Sequence, residues 1–211
     1  GLSFANVVTF NLDEYYPMPP ESQQSYVRFM KEYLFDHIDI PQENINIPDG
    51  TLSMDKVEAF CDSYEKKIDS YGGIDIQLLG IGRTGHIGFN EPGSWEGSYT
   101  RLVRLDAITR QDAIKDFIVE ENVPHRAITM GIASIRKART IYLMAWGQHK
   151  ASILQKAVEG IITPTIPCTF LQKHPNVKLL IDKEAATELT RIKTPWLVGM
   201  CNWNKDLICR A

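Results

Sequence analysis

The chain has 211 residues, 44% of them hydrophobic and 23% charged, and its 23 basic and 26 acidic side chains give a formal net charge of −3. This composition indicates a globular domain that can bury a core without a metal or disulfides, and it excludes disordered, collagen-like and coiled-coil chains. The charge forms no long run of one sign, which argues against a nucleic-acid partner, and no apolar stretch reaches the roughly 18–20 residues of a membrane span. We therefore expect a small-molecule partner.

Four cysteines are scattered along the chain, at Cys61, Cys168, Cys201 and Cys209. They form neither a disulfide framework nor a CxxC pair, and the histidines show no metal-ligand spacing. We therefore expect a reducing, cytoplasmic setting with no metal and no cofactor. The chain starts a few residues before a strand-like run and carries no initiator Met, so we expect an N-terminal part of the domain to be missing.

Strand-like and helix-like segments alternate along the chain. In chain order, the predicted elements are a strand over 7–10, a helix over 21–37, a helix from an N-cap at Ser53 to a stop at Gly72, strands over 74–79 and 127–130, a helical turn over 134–138, a strand over 140–145, a helix over 148–158 and a strand over 177–181. Strands separated by helices imply right-handed crossovers. The predicted fold class is therefore α/β, with three layers and a mostly parallel sheet that carries helices on both faces. We expect one domain over 1–190, with 191–211 as a C-terminal extension or the start of a linker.

Ligands of open parallel sheets bind beyond the carboxyl ends of the strands. Three segments there carry polar residues, at 11–15, 80–91 and 147–150. The second contains a GxGxxG pattern from Gly80 to Gly85, but the residues that follow are too rich in Gly, Asn and Pro to open the helix that a dinucleotide site needs. We interpret Gly80 and Gly82 instead as positions where the backbone approaches a small ligand closely.

His86 and Glu91 are candidates for an acid/base pair. Glu91 comes five residues after His86 in a turn-rich segment that can fold back, and a carboxylate beside an imidazole is a usual device for proton exchange near neutral pH. Asp13 stands where a proton-abstracting base would lie, although acidic residues such as Asp13 and Glu14 are also common turn formers or caps. Lys150 follows Gly147 at a predicted helix start, where an ammonium and free N–H groups could bind one anion, the alternative being a solvated surface lysine.

Taken together, these segments resemble the glucosamine-6-phosphate deaminase family. The matching segments occur in the family's order and are FNLDEY at 10–15, GHIGFNEP at 85–92, VP at 123–124, GQHK at 147–150 and AVEG at 157–160. The similarity covers about residues 7–189, and GHIxFNEP is specific to the family and its near kin. It implies a Rossmann-like fold of the sugar-phosphate isomerase/deaminase type.

The resemblance also implies an activity, the conversion of glucosamine 6-phosphate and water to fructose 6-phosphate and ammonia, without a metal or redox cofactor. Asp13 would remove the C2 proton, and His86, oriented by Glu91, would assist opening of the sugar ring. Lys150 would bind the phosphate. A second phosphate-binding basic residue, on a mobile lid, falls by spacing on Lys115, with Arg110 near by.

The implied substrate-lining residues are Gly80, Gly82 and Thr84. The implied partner is a sugar phosphate and neither nucleic acid nor a membrane, and the family includes homo-oligomers as well as monomers.

Two departures from the family pattern leave alternatives open. Thr84 stands where the family has an aspartate; it can form hydrogen bonds but carries no negative charge to favour a protonated His86. The family's N-terminal phosphate loop has no counterpart before Asn6. A 6-phosphogluconolactonase-like hydrolase and a non-catalytic sugar-phosphate sensor therefore remain alternatives; Thr84 favours the sensor, and the segment around Asp13 argues against the hydrolase.

Overall fold

The computed structural model describes residues 1–117 and 122–197, apart from the side chains of residues 115 and 116; residues 118–121 and 198–211 lie outside the described part. Its strands are β1 (Thr9–Phe10), β2 (Asp13–Tyr16), β3 (Ile45–Asn46), β4 (Ile76–Gly80), β5 (Arg101–Arg104), β6 (Arg126–Thr129), β7 (Thr140–Ala145) and β8 (Val177–Ile181). Its α-helices are α1 (Tyr26–Tyr33), α2 (Met54–Ser70), α3 (Ala107–Phe117), α4 (Ile132–Arg136), α5 (Ala151–Glu159) and α6 (Thr190–Lys193). The α/β class is confirmed.

The strands form three small sheets. Two are parallel, with the orders β1–β3 and β4–β7–β8, and the third is antiparallel, with the order β2–β6–β5. In the larger parallel sheet Gly80 at the end of β4 pairs with Met144 near the end of β7. The carboxyl ends of β4 and β7 therefore lie side by side, and the segments that follow them meet at one edge.

The long second helix forms as its sequence predicts. Ser53 occupies the N-cap position, and its carbonyl accepts a hydrogen bond from Lys56 N at 2.9 Å. The helix ends before Gly72, whose φ of 78° is a left-handed conformation that costs glycine little. Val57, Cys61, Tyr64 and Ile68 are buried along one face, as the predicted spacing requires.

The first helix is shorter than predicted. It begins at Tyr26 rather than near residue 21, because Ser25 caps it through a hydrogen bond from Val27 N at 3.1 Å. The C-terminal end of the predicted helix forms a separate 3-10 turn over Phe35–His37 instead of α-helix. A similar 3-10 turn, Gln148–Lys150, precedes α5, which ends at Gly160 as predicted.

The antiparallel sheet corrects the expectation of a loop over 11–15. Asp13–Tyr16 is itself strand β2, which pairs in register with β6. The run Asp-Glu-Tyr-Tyr shows no alternation of polar and apolar residues that would predict a strand. In the structure Glu14, Tyr15 and Tyr16 are all buried. The pairing that makes it a strand comes from residues more than a hundred positions away along the chain, which local sequence does not report.

Helix α3 was not predicted either. Apolar residues show little helical periodicity in it, and Asp106 supports its start by accepting a hydrogen bond from Ile108 N at 2.8 Å. The helix matters for function because it packs next to the loop after β4. Its Thr109 and Asp112 side chains both contact that loop.

The main core lies on one face of the β4–β7–β8 sheet. Its buried members include Leu79, Ile87, Met130 and Leu143, each at most 1% exposed. The opposite face is open within the described residues: Ile76 is 60% exposed, Leu78 54% and Leu180 46%. Any further cover for this apolar face would come from residues outside those described.

The predicted boundary after residue 190 falls inside α6 and stays a prediction. Among the helices of the described residues, none combines the length and the apolar character that crossing a bilayer would require.

Candidate active site

Asp13 lies at the start of β2, opposite Thr129 of β6. The loop after β4 approaches it at Gly88, where an added Cβ would lie 3.2 Å from Asp13 Oδ2 and 3.0 Å from Thr129 Oγ1. Gly88 has a φ of 54°, a left-handed conformation that side chains rarely adopt. The absence of a side chain at position 88 thus lets the loop that carries His86 pass close to the carboxylate.

The surroundings of Asp13 suit a proton acceptor. Burial, and to a lesser extent the neighbouring Glu14 carboxylate, raises the pKa of Asp13 to about 7. The side chain still keeps partial access to solvent. A carboxylate whose pKa lies near the working pH can both take up and return a proton, which is the requirement for general acid/base catalysis.

Glu14 has a different role from Asp13. Its side chain is fully buried and accepts hydrogen bonds from Ser25 Oγ at 2.8 Å, Tyr15 N at 2.9 Å and Val27 N at 3.2 Å. Burial raises the pKa of Glu14 despite these hydrogen bonds. The carboxyl group therefore fastens the start of α1 to β2, so the cap interpretation fits Glu14.

The glycine-rich segment after β4 is a turn that holds His86. Gly82 N donates to the His86 carbonyl and Gly85 N donates to the Gly82 carbonyl, both at 3.0 Å. A Cβ on Gly82 would fall 2.0 Å from His86 Nε2, so the imidazole lies directly over this glycine. The segment is followed by turns and not by the helix that a dinucleotide site would need, as the sequence predicts.

His86 and Glu91 come together as the turn folds back. His86 Nδ1 lies 3.4 Å from Glu91 Oε2, and both side chains are largely buried, with 18% and 11% exposed. Burial opposes ionisation of Glu91, but hydrogen bonds with His86, Thr109 and Asp106 N outweigh it and lower the pKa of Glu91. The Glu91 carboxylate is thus negatively charged at neutral pH.

Thr84 also faces the imidazole, with Oγ1 3.0 Å from His86 Nδ1. The residue at this position therefore touches the same ring nitrogen that Glu91 approaches.

Lys150 reaches the same edge from the end of β7. Its Nζ donates to the carbonyl of Ile81 at 2.8 Å, and burial together with the nearby Arg83 lowers the pKa of Lys150. The ammonium thus lies against the loop that holds His86. Gly147 N, which precedes the predicted helix start, donates to both Asp182 oxygens, at 2.9 and 3.0 Å, and is not available to an anion.

The remaining predicted residues are placed less closely. Gly80 ends β4, and a Cβ there would meet no atom within 4 Å, so the site has open space beside it. Lys115 lies on α3, and its side chain falls outside the description. Arg110, the nearby substitute, lines a cavity of about 350 Å³ together with Glu91 and Asp106.

Sequence reasoning missed the contacts that α3 makes. Thr109 Oγ1 lies 3.3 Å from His86 Nδ1, and Asp112 forms a 2.8 Å ion pair with Arg83 on the glycine-rich turn. Neither residue belongs to a recognisable motif, and α3 itself was not foreseen. Within residues 1–117 and 122–197, no cluster of three or more His, Cys, Asp or Glu side chains is arranged to hold a metal ion.

The raised pKa of Asp13 predicts a pH-dependent stability. The folded state holds the Asp13 proton more tightly than the unfolded chain, so stability falls between about pH 4 and 7 as the carboxyl ionises, and the loss persists above pH 7. Asparagine does not ionise and avoids this loss. The change that Asp13→Asn causes in the free energy of unfolding is therefore expected to be about 1–4 kcal/mol more favourable at pH 8 than at pH 4. Urea unfolding of both proteins at the two pH values measures this, and an equal effect at both would contradict it.

These features define an α/β protein in which Asp13, the His86–Glu91 pair and Lys150 lie where the ends of parallel strands meet an antiparallel strand. The family model described as glucosamine-6-phosphate isomerases/6-phosphogluconolactonase matches residues 1–180, and the chain belongs to that family.

Named relatives agree with this assignment. The chain is 48% identical to the glucosamine-6-phosphate deaminase of Oceanobacillus iheyensis over 189 residues, which are 90% of this chain and 75% of the relative. It is 50% identical to a glucosamine-6-phosphate deaminase-like protein of Bacteroides thetaiotaomicron over all 211 residues. The chain spans only 32% of the length of that Bacteroides protein.

Solved structures share the fold. A monomeric glucosamine-6-phosphate deaminase matches with a TM-score of 0.85 and 44% identity, over 89% of this chain and 77% of that one. The 6-phosphogluconolactonase of Trypanosoma brucei matches with a TM-score of 0.67 and 21% identity, over 85% and 73% of the two chains. The second match supports the fold alone.

Proposed function

We propose that the protein to which this chain belongs converts glucosamine 6-phosphate and water to fructose 6-phosphate and ammonia. The observation that carries the proposal is the loop after β4, which passes next to the Asp13 carboxylate at Gly88 and carries both His86 and Glu91. Relatives that carry the deaminase name, at 44–48% identity and with three quarters or more of their length covered, support it. The cysteine pattern favours a cytoplasmic setting.

The proposed chemistry moves protons at three places. His86, with Glu91 behind it, exchanges a proton with the ring oxygen and assists opening of the pyranose ring. Asp13 removes the proton from C2 and returns it to C1, so the open-chain 2-amino aldose becomes a ketimine with its C=N bond at C2. Water then adds at C2 and ammonia leaves, and only this step produces the ketose. No electron is transferred to an external acceptor in this sequence, and the Lys150 ammonium binds the 6-phosphate.

The sensor alternative rests on Thr84. The hydroxyl touches His86 Nδ1 without bringing a charge, so the pocket would be kept while proton transfer becomes inefficient. A lactonase-like hydrolase would need His86 to activate water but would leave the C2 proton in place. Loss of deuterium from C2 therefore separates the deaminase from both alternatives.

We further propose that residues 1–211 alone release no measurable ammonia. Lys150 supplies one phosphate contact, but Gly147 N is already occupied by Asp182, so backbone donors for the phosphate would have to come from elsewhere. The chain spans about three quarters of the length of the deaminase relatives, which is consistent with an incomplete site.

Ammonia release from glucosamine 6-phosphate, measured with residues 1–211 and with a longer protein extended at the N-terminus, tests both proposals. Turnover by the longer protein only is expected. Turnover by residues 1–211 would mean that the phosphate site is complete without further residues. Inactivity of both, with sugar-phosphate binding retained, would favour the sensor.

A further inference from the structure

The hydroxyl of Thr109 lies beside the acid/base pair, next to both the imidazole and the carboxylate. Thr109 is only 6% exposed, and Oγ1 is 3.3 Å from His86 Nδ1. The same hydroxyl faces the Glu91 carboxyl and lowers its pKa. Thr109 belongs to α3, whereas His86 and Glu91 belong to the loop after β4, so this contact joins two separate elements.

At neutral pH the ionised Glu91 carboxylate can only accept, and it faces both the Thr109 hydroxyl and His86 Nδ1. The arrangement that satisfies it has the Thr109 hydroxyl donating to Glu91. The Thr109 oxygen then offers a lone pair to His86 Nδ1. A neutral imidazole with an acceptor at Nδ1 carries its proton on that nitrogen, which leaves Nε2 with a lone pair.

Thr84 and Thr109 contact the same nitrogen but are not equivalent. Thr84 lies two residues from His86 in the same turn and therefore moves with it. Thr109 depends on the position of α3, which is also attached to the turn through the Asp112–Arg83 ion pair at 2.8 Å. Through Thr109, the surroundings of His86 Nδ1 therefore depend on the packing of α3.

From this geometry we infer that Thr109 is a positioning residue. Its hydroxyl links Glu91 to His86 Nδ1 and holds the imidazole in the Nδ1–H form. Because Thr109 belongs to α3, that form depends on the packing of α3. For catalysis the inference rests on the proposed function, because a fixed tautomer matters only if Nε2 exchanges a proton with the substrate. The tautomer itself is a property of the protein without substrate and is measured separately.

The test compares Thr109→Val, which keeps the shape and removes the hydroxyl, with Thr109→Ser, which keeps the hydroxyl. In the N-terminally extended protein labelled with ¹⁵N, correlation spectra at pH 8 identify the tautomer of His86, whose signals are assigned by their loss in His86→Gln. We expect the Nδ1–H form in the parent protein and in Thr109→Ser. A mixture of the two tautomers is expected in Thr109→Val.

Kinetics provide the second readout. Thr109→Val is expected to lower kcat about tenfold with little change in KM, and Thr109→Ser to restore most of the loss. An unchanged tautomer in Thr109→Val, or a loss that serine does not restore, would overturn the inference and leave Thr109 as a packing residue. A tautomer shift in a protein that releases no ammonia would support the positioning role and count against the proposed deaminase function alone.

Should Thr109→Val unfold at the temperature of the measurement, Thr109→Ala takes its place, since a smaller side chain in a helix keeps the backbone and still removes the hydroxyl. The same shift of tautomer is expected. A parent-like spectrum in a folded Thr109→Ala protein would again overturn the inference.

Discussion

Replacement of Asp13 with asparagine is expected to abolish exchange of the substrate C2 proton with solvent. The amide keeps the shape of the side chain but cannot accept a proton, and general base catalysis of this kind contributes about 10²–10⁴-fold to a rate. The raised pKa of Asp13, about 7, is consistent with this role, because burial has made the carboxylate a stronger base. Loss of deuterium from C2-deuterated glucosamine 6-phosphate, followed by NMR, measures the effect.

The sugar phosphate should still bind to the Asp13→Asn protein, since the proposed phosphate contact lies at Lys150. Affinity within about threefold of the parent value, measured by calorimetry, is the expected control result. Asp55→Asn, an equal change on the exposed first turn of α2, is the matched variant and should leave exchange intact. Undiminished exchange in Asp13→Asn would remove Asp13 from the mechanism.

Replacement of Lys150 with methionine is expected to weaken binding of the 6-phosphorylated sugar about 10–100-fold, because a charge-assisted contact to phosphate is worth about 1.5–3 kcal/mol. The dephosphorylated sugar should lose far less. Lys156 offers a matched control on the neighbouring helix: it is exposed, on α5, and its replacement with methionine should change neither affinity.

The comparison of the two sugars identifies the group that Lys150 touches. A loss of equal size for both ligands would show that the lysine acts through the fold, for instance through its hydrogen bond to the Ile81 carbonyl, and not through the phosphate. A loss confined to the phosphorylated sugar would support the proposed phosphate contact.

Local sequence predicts the part of the site that lies at the ends of neighbouring strands and in one turn. Because β4 and β7 are adjacent and parallel, the segments after them had to meet, and Lys150 does reach Ile81. The turn between His86 and Glu91 is short and rich in residues that allow a fold-back, so their approach to 3.4 Å was foreseeable. The functional roles of these residues stay predictions.

The part that could not be predicted depends on residues far apart in sequence. The pairing of Asp13 with Thr129 turns an expected loop into a strand, and no local pattern encodes that register. Likewise, Asp182 follows β8 and accepts a hydrogen bond from Gly147 N, and no local pattern links these two residues. Helix α3 lacks an apolar stripe, so its hydroxyl contact to His86 had no signal in the sequence.

Strand β2 carries two adjacent carboxylates whose roles differ, because consecutive side chains of a strand point to opposite faces. Asp13 faces the loop at Gly88, and Glu14 fastens the start of α1. The double substitution Asp13→Glu and Glu14→Asp would conserve charge and composition while lengthening one reach and shortening the other by about a methylene. A comparison of sequences that counts aspartate and glutamate as similar residues would therefore not detect this change. The change would nevertheless disturb both the proposed proton acceptor at position 13 and the anchor of α1 at position 14.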